Sequence, residues 1–263
     1  MKKIQRIYHL LSKDLGRQGW WPIVNDKSLL CEYSLNAPRN EAEALEISFG
    51  AILTQNTQWH PNVVRSLQQM KLGRQFTEKE VISIKGKEIS KLKLSKKEGS
   101  ISVKKILGMK HEQLAKIIRP CGYYNQKAKT LKNFCILLHD KYDSSIGKLF
   151  SLGIMELRNE LLTVNGIGPE TADSIMLYAA RKPVFVIDAY TKRIFGRIGY
   201  KLETYEEFQK LFMEALPKNE KLFNEYHALL VELGKNTCRK DPSCAECPIF
   251  SLCDHPKKRD LIT

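Results

Sequence analysis

The chain has 263 residues, which is enough to bury the core of one large domain or of two small lobes. Its 43 Lys and Arg residues outnumber 29 Asp and Glu residues. The resulting net charge of +14 is typical of a nucleic-acid-binding protein, although a merely solvated basic surface has the same composition. No apolar run is long enough to span a bilayer, and the N-terminal sequence lacks a signal-peptide cleavage pattern. We therefore expect a cytoplasmic protein without a membrane partner.

Apolar residues at mixed three- and four-residue spacing predict short helices along most of the chain. In chain order the clearest runs lie at 44–53, 114–118, 131–138 and 223–233. Strand-like alternation is nearly absent, and its one brief run, at 183–187, leads straight into Asp188. The sequence therefore predicts an all-α fold. The Lys-rich stretch 85–105 is short of bulky residues, which predicts a solvated loop or, alternatively, an arm that contacts DNA.

Two glycines flank an apolar residue in the segment 162–172, LTVNGIGPETA, directly before a predicted helix. Gly166 and Gly168 permit a tight turn around Ile167. Backbone N–H groups at such a turn form a phosphate-binding nest that has no sequence preference. A lone Gly-x-Gly also occurs in ordinary helix–helix turns, but the longer string with Thr171 is more specific.

Asp188 follows the apolar run 183–187 and precedes another predicted helix. An aspartate at this position commonly caps the helix by accepting a backbone N–H. The same carboxylate, held beside an apolar wall, is well placed to act on a bound substrate. Both interpretations of Asp188 can hold together.

Four cysteines lie close together near the C-terminus, at Cys238, Cys244, Cys247 and Cys253. Zinc sites favour two Cys-x2-Cys pairs separated by a longer loop, whereas this segment has one such pair with a single cysteine on each side. The spacing therefore favours a 4Fe–4S cluster, with a structural role, over structural zinc. The other three cysteines lie among apolar residues and are interpreted as small buried hydrophobes: Cys31, Cys121 and Cys135.

The hairpin, the Asp188 element and the cysteine segment occur in the order and approximate spacing of the endonuclease III superfamily of helix-hairpin-helix DNA glycosylases. The resemblance extends from about residue 45 to residue 253, although the first cysteine gap is five residues here and usually six in the family. It implies a six-helix barrel at 42–182, and a second lobe built from 1–41 and 183–263 that carries the 4Fe–4S cluster. It also implies a monomer that binds double-stranded DNA and flips a damaged base into the cleft between the lobes.

The resemblance also implies DNA contacts outside the hairpin. Gln55, in the string LTQNT, matches the family position that fills the stack vacated by the flipped base. Tyr123, in CGYYN, matches a second wedge position. A helix-capping amide and a core aromatic are the alternative interpretations of these two residues.

The type of reaction that we predict depends on the residue at position 170. Bifunctional family members carry a lysine two residues after the second hairpin glycine, which attacks the sugar and forms a Schiff base. This chain has Glu170 there, and a carboxylate cannot form an imine. We therefore expect a monofunctional enzyme in which Asp188 stabilises the oxocarbenium-like sugar and orients or deprotonates water.

The segment GWWP at 19–22 extends the resemblance to the 3-methyladenine DNA glycosylase III branch. Trp20 and Trp21 would stack on an electron-poor flipped base, whereas the alternative is a pair of core tryptophans. Leu45 occupies the position where the branch has an aromatic across the pocket. Lys235, at the end of a helix, resembles a lysine near that pocket, and a helix C-terminal cation is its alternative. Glu170 is assigned to the same pocket or to a favourable charge in the first helical turn.

These features predict excision of alkylated purines such as 3-methyladenine and 7-methylguanine, because a base that already carries positive charge leaves as a neutral molecule. The first alternative is a mismatch, uracil or oxidised-base glycosylase on the same scaffold. The second is a non-catalytic DNA-binding protein in which Asp188 is only a helix cap.

Overall fold

The computed structural model describes residues 2–80 and 101–255 of the chain. The structure is mostly helical, and the prediction of an all-α fold is confirmed. Most of the Lys-rich stretch 85–105 lies outside the described residues, as does the chain after residue 255. Among the described residues, no helix has the length and apolar character needed to cross a membrane.

The described residues include twelve helices and two short strands. They are α1 (Lys2–Leu15), β1 (Ile23–Val24), β2 (Cys31–Glu32), α2 (Glu41–Leu53), α3 (Val64–Leu72), α4 (Val103–Gly108), α5 (His111–Ile117), α6 (Tyr124–Tyr142), α7 (Ile146–Phe150), α8 (Ile154–Leu162), α9 (Pro169–Ser174), α10 (Ala189–Arg197), α11 (Tyr205–Ala215) and α12 (Glu220–Asn236). Single helical turns also occur at Trp59–Val63, Arg119–Cys121, Ile175–Ala179, Cys244–Glu246 and Phe250–Leu252.

The chain forms two compact units, which we describe separately. The central unit comprises Trp21–Ala180, and the terminal unit comprises Met1–Trp20 and Arg181–Thr263. The predicted division placed 1–41 with the C-terminal region, so it differs for the stretch that follows Trp20. That stretch belongs to the central unit because its backbone is bonded there: Val24 N donates to Glu46 Oε1 at 2.6 Å, and Gln68 Nε2 donates to Leu29 O at 2.8 Å.

Helix α2 is the central element of the central unit. It begins at the N-cap Asn40, whose side chain accepts the Glu43 N–H at 3.0 Å. Every residue from Ala44 to Leu53 is buried, so the helix is surrounded by neighbours on all sides. This explains why the apolar residues of 44–53 do not follow a single stripe.

The terminal unit has an aromatic core. Phe185 stacks on Phe212 with ring centroids 3.9 Å apart, and Tyr226 donates its hydroxyl to Ile4 O at 2.9 Å. The run 183–187 forms no strand, and its residues 184–187 are all buried in this core. A side chain takes the place of a strand partner, because Gln209 Nε2 donates to Phe185 O at 2.8 Å.

Candidate active site

The glycine turn of the predicted hairpin lies between α8 and α9. Gly166 has φ +99°, and a Cβ at this position would lie 2.0 Å from Thr130 Oγ1 on α6. Gly168 is extended, caps the N-terminus of α9, and has open space where its Cβ would be. Only Gly166 therefore requires glycine for both conformation and space. Ile167 is buried, which anchors the turn to the central unit.

A partly buried ion pair joins the two helices of the hairpin. Arg158 on α8 donates from Nε to Asp173 Oδ1 at 2.8 Å and from Nη2 to Oδ2 at 3.3 Å, and Asp173 is fully buried on α9. This two-point contact fixes the angle between the helices. No local sequence pattern pairs a residue of one helix with a residue of the next, so this contact could not be predicted from the sequence.

Gln55 bonds to the hairpin in this structure. Its Nε2 donates to Gly166 O at 2.9 Å and to Thr171 Oγ1 at 2.8 Å. These bonds connect the loop after α2 with the glycine turn and with the first turn of α9. Gln55, Gly166 and Thr171 thus lie together, although the sequence separates Gln55 from Gly166 by 111 residues.

Tyr123 is the most exposed large apolar side chain among those described, at 71% of its surface. It is also in the left-handed region, with φ +45° and ψ +32°, and it directly precedes α6. A bulky residue in that conformation is strained, and strain of this kind concentrates at binding sites. Its exposure is incompatible with the alternative of a core aromatic.

Trp21 is packed inside the central unit. Its ring meets the edges of Trp59 and Tyr178, with centroids 5.3 and 5.2 Å away. It also lies against bare backbone, because a Cβ on Gly50 would be 2.8 Å from Trp21 Nε1. Leu45 is buried on the same helix as Gly50, and both Trp21 and Leu45 are 6% exposed. Trp59 and Tyr178 were not singled out from the sequence, since their role depends on packing against Trp21.

Glu170 lies in the central unit and Trp20 lies in the terminal unit. Glu170 is exposed in the first turn of α9, where a carboxylate is favourable to the helix dipole. Trp20 is half-buried in the terminal unit.

Asp188 is the N-cap of α10 and is 9% exposed. Its Oδ1 accepts the Thr191 N–H at 2.7 Å, and its Oδ2 lies 3.6 Å from His227 Nε2 on α12. Burial pushes the pKa of Asp188 upward, but the neighbouring His227 and the hydrogen bond from Thr191 outweigh it and hold the pKa below its ordinary value. The carboxylate is therefore ionised at neutral pH, and His227 is a neighbour that the sequence analysis did not identify.

Lys235 is exposed in the last turn of α12, where a cation is favourable to the helix dipole. The preceding residue, Gly234, lets α12 approach α10, because a Cβ there would lie 2.7 Å from the Tyr190 side chain.

The four C-terminal cysteines line one cavity in the terminal unit: Cys238, Cys244, Cys247 and Cys253. Arg197 organises the segment by donating to Cys238 Sγ at 3.2 Å and to Arg239 O at 2.6 Å. Burial, together with the charges of the neighbouring cysteines, raises the pKa of Cys247 to about 11. Ionised thiols here need a compensating cation, which is what a metal cluster supplies. Even so, in the described ranges 2–80 and 101–255, no three His, Cys, Asp or Glu side chains have the arrangement of a metal site.

The predicted site residues thus divide between the two compact units. The hairpin, Gln55, Tyr123, Trp21 and Leu45 belong to the central unit, and Asp188, Lys235 and the four cysteines belong to the terminal unit. Of the other cysteines, Cys121 and Cys135 are buried as expected and Cys31 is half-buried.

Comparison with known proteins gives consistent results. Residues 49–218 match the family described as HhH-GPD superfamily base excision DNA repair protein. A protein of Methanocaldococcus jannaschii named "Putative DNA repair glycosylase MJ1434" is 37% identical over 254 residues, which are 95% of each chain. Endonuclease III of Sulfolobus acidocaldarius is 30% identical over 166 residues, which are 62% of this chain and 71% of that protein.

Two solved structures also resemble this chain. The H. pylori 3-methyladenine DNA glycosylase bound to 1,N6-ethenoadenine matches with a TM-score of 0.58 and 25% identity, over 89% of this chain and 94% of that one. A non-covalent endonuclease III–DNA complex matches with a TM-score of 0.66 and 20% identity, over 99% and 98% of the two chains. The second likeness is one of fold.

Proposed function

Because the chain belongs to the HhH-GPD superfamily of base excision DNA repair proteins, we propose that it is a monofunctional DNA glycosylase that hydrolyses the N-glycosidic bond of alkylated purines in duplex DNA. The observation that carries this proposal is the geometry of Asp188, a buried carboxylate that caps α10, accepts the Thr191 N–H and lies beside His227. Such a group has the charge and the fixed position that a reaction through a cationic sugar requires.

Asp188 would act on the sugar and on the attacking water. As the base departs, positive charge develops on the sugar, and a preorganised carboxylate stabilises that charge without having to reorient. The Thr191 N–H holds one oxygen at 2.7 Å, so the carboxylate keeps its position. The same group can orient or deprotonate the water that attacks C1′, which yields a free base and an abasic site.

Glu170 supports the absence of lyase chemistry. Its carboxylate cannot form the imine through which a lysine at this position would cleave the strand. Incubation with lesion-containing DNA and borohydride should therefore trap no covalent adduct. A trapped adduct would show that another amine attacks the sugar and would overturn the monofunctional assignment.

Alkylated purines are favoured as substrates by two features. A cationic purine leaves as a neutral base, so the reaction needs no strong general acid. The 25% identity to a 3-methyladenine DNA glycosylase bound to a modified adenine supports the same class. The assignments of Trp20, Trp21, Leu45, Glu170 and Lys235 to the base all remain predictions, and Trp21 and Leu45 are each only 6% exposed.

DNA would be held by the glycine turn. The backbone N–H groups at the N-terminus of α9 suit phosphate oxygens, and a Cβ at Gly168 would meet nothing within 4 Å, so the turn is open at this residue. Gln55 and Tyr123 would enter the duplex beside the flipped nucleotide.

The four cysteine thiolates would hold a 4Fe–4S cluster, which stabilises the fold of the segment when bound. Their shared cavity and their need for a compensating cation fit such a group. Iron and sulfide analysis of purified protein, together with its visible absorption, tests this assignment. A colourless protein that contains zinc would contradict it.

Parallel release of bases from methylated, oxidised and deaminated duplex DNA is the decisive experiment. Free 3-methyladenine and 7-methylguanine should appear from methylated DNA, with an alkali-labile site left behind. Release of only oxidised or deaminated bases would favour an activity like that of its endonuclease III relatives. Binding without an alkali-labile site on any substrate would indicate a non-catalytic DNA-binding protein.

A further inference from the structure

Lys127 is a lysine buried in the central unit, only 3% exposed, in the first turns of α6. Its ammonium group donates to two backbone carbonyls, Leu53 O at 2.9 Å and Cys121 O at 2.8 Å. Burial lowers the pKa of Lys127, partly offset by Cys121. Burying a cation is costly unless its hydrogen bonds are satisfied, so these two bonds are what makes the position tolerable.

The two carbonyls lie just before the two wedge segments, which are the loops that carry Gln55 and Tyr123. Leu53 is the last residue of α2, two residues before Gln55, and its carbonyl is one that a helix end leaves without an intrahelical partner. Cys121 ends a single helical turn two residues before Tyr123. Both segments then enter the left-handed region at non-glycine residues, Asn56 with φ +52° and Tyr123 with φ +45°. One ammonium group therefore holds the starting points of two loops that each contain a left-handed residue, which in Tyr123 is a bulky and strained one.

We infer that Lys127 is a positioning residue that fixes the distance between the Gln55 and Tyr123 segments, so that both side chains enter the duplex together. The inference rests on the proposed function, in which these two side chains replace the flipped nucleotide. A lysine suits the task because its ammonium group has three donors and can bridge two carbonyls at once. A methionine has a similar length and no donor, and would leave both carbonyls without this partner.

The same helix provides a matched control. Lys132 is also on α6 and also donates its ammonium group to backbone carbonyls, those of Ile106 at 3.3 Å, Leu107 at 3.4 Å and Met109. These carbonyls belong to the end of α4 and the residue after it, and not to the wedge segments. Lys132→Met therefore removes a comparable set of bonds while leaving both wedges held.

The test compares duplex and single-stranded DNA. Thermal unfolding of Lys127→Met and Lys132→Met is measured first, and all assays are run at a temperature where both variants are folded. Single-turnover release of 7-methylguanine is then followed from a duplex and from the same strand alone. The single strand has no base stack that Gln55 and Tyr123 would have to enter. Lys127→Met should lower the duplex-to-single-strand rate ratio about tenfold or more, because small displacements of positioning groups cost one to two orders of magnitude. Lys132→Met should keep the ratio within about twofold of the unaltered protein.

A second readout does not depend on catalysis. A duplex that contains a stable abasic-site analogue, with 2-aminopurine opposite it, reports wedge entry as a rise in fluorescence when the protein binds. Lys127→Met should lose most of this rise at saturating protein, and Lys132→Met should keep it. If Lys127→Met slows both substrates equally, or keeps the full rise, the positioning role is wrong. If the unaltered protein releases no base but gives the rise, and Lys127→Met loses the rise while Lys132→Met keeps it, the proposed function fails while the role of Lys127 stands.

Discussion

Asp188 combines a structural and a proposed chemical role, and one substitution separates them. Asparagine is as good an N-cap as aspartate, so Asp188→Asn keeps the bond from Thr191 N while removing the negative charge. Base release should fall about 10²-fold or more, the usual loss when one preorganised electrostatic group is removed. Single-turnover kinetics on methylated duplex DNA, with binding measured on the same duplex, checks this prediction. Near-normal base release with unchanged binding would remove Asp188 from the mechanism.

Asp188 also links stability to pH. The pKa of Asp188 is lower in the folded protein than its ordinary value, so the folded state binds this proton less readily than the unfolded state. The stabilising contribution is therefore complete above the unfolded pKa of about 3.9 and disappears as pH falls through the folded pKa. Asp188→Asn has no such ionisation. The difference in unfolding free energy between the unaltered protein and Asp188→Asn should shrink as pH is lowered from about 5 toward 3, as measured by urea unfolding. A difference that grows on acidification would contradict the direction of the pKa shift.

The hairpin turn contains two glycines, and replacing each by alanine should have a different effect on stability. Alanine at Gly166 would adopt a strained φ of +99° and bring its Cβ to 2.0 Å from Thr130 Oγ1, whereas alanine at Gly168 would meet nothing. Gly166→Ala should cost about 2 kcal/mol or more. The midpoint of thermal unfolding should then fall by about 4–8 °C, and by less than about 2 °C in Gly168→Ala.

The double variant Gly166→Ala/Thr130→Ala tests the cause of that loss. Removing Oγ1 and Cγ2 of Thr130 relieves the closest contacts but not the strain in the backbone. The double variant should therefore recover part of the lost stability relative to Thr130→Ala. Full recovery would show that backbone conformation contributes nothing, and no recovery would show that the contact with Thr130 is irrelevant.

The elements that the sequence predicts best are those whose signals are local. The apolar spacing of 44–53, 131–138 and 223–233 falls within α2, α6 and α12, and the Asp188 cap is visible in the chain itself. The run 183–187 alternates like a strand, but Gln209 satisfies Phe185 O, and no strand forms there. Residues 184–187 are all buried, so the apolar run indicates burial, and tertiary contacts decide whether a sheet follows.

The candidate site was predictable only where residue type carries the chemistry. The glycine turn, Asp188 and the cysteine segment have distinctive residues at characteristic spacing. His227, Lys127 and the Arg158–Asp173 pair have no such signal, because each matters through a partner that is remote in sequence and close only after folding. Trp59 is similar, since its contact with Trp21 depends on the bare backbone at Gly50.

For the whole molecule, the net charge of +14 predicts how DNA binding responds to salt. Each phosphate that a protein neutralises releases condensed counterions, so the logarithm of the association constant falls linearly with the logarithm of salt concentration. With about six or more phosphates contacted, affinity for a duplex should fall roughly 10³-fold or more between 50 and 200 mM salt.

Measuring this slope on two matched duplexes separates backbone contacts from recognition of the lesion. A duplex with a single alkylated purine and the same duplex without it present identical phosphates, so their salt slopes should agree. Their association constants at any one salt concentration should differ, because contacts with the flipped base and the wedges are added to a common electrostatic background. Titrations followed by fluorescence anisotropy at four or more salt concentrations provide both quantities. A shallow slope corresponding to one or two phosphates would mean that the positive charge serves solubility rather than DNA binding, and equal affinities would mean that the lesion is not recognised in the bound complex.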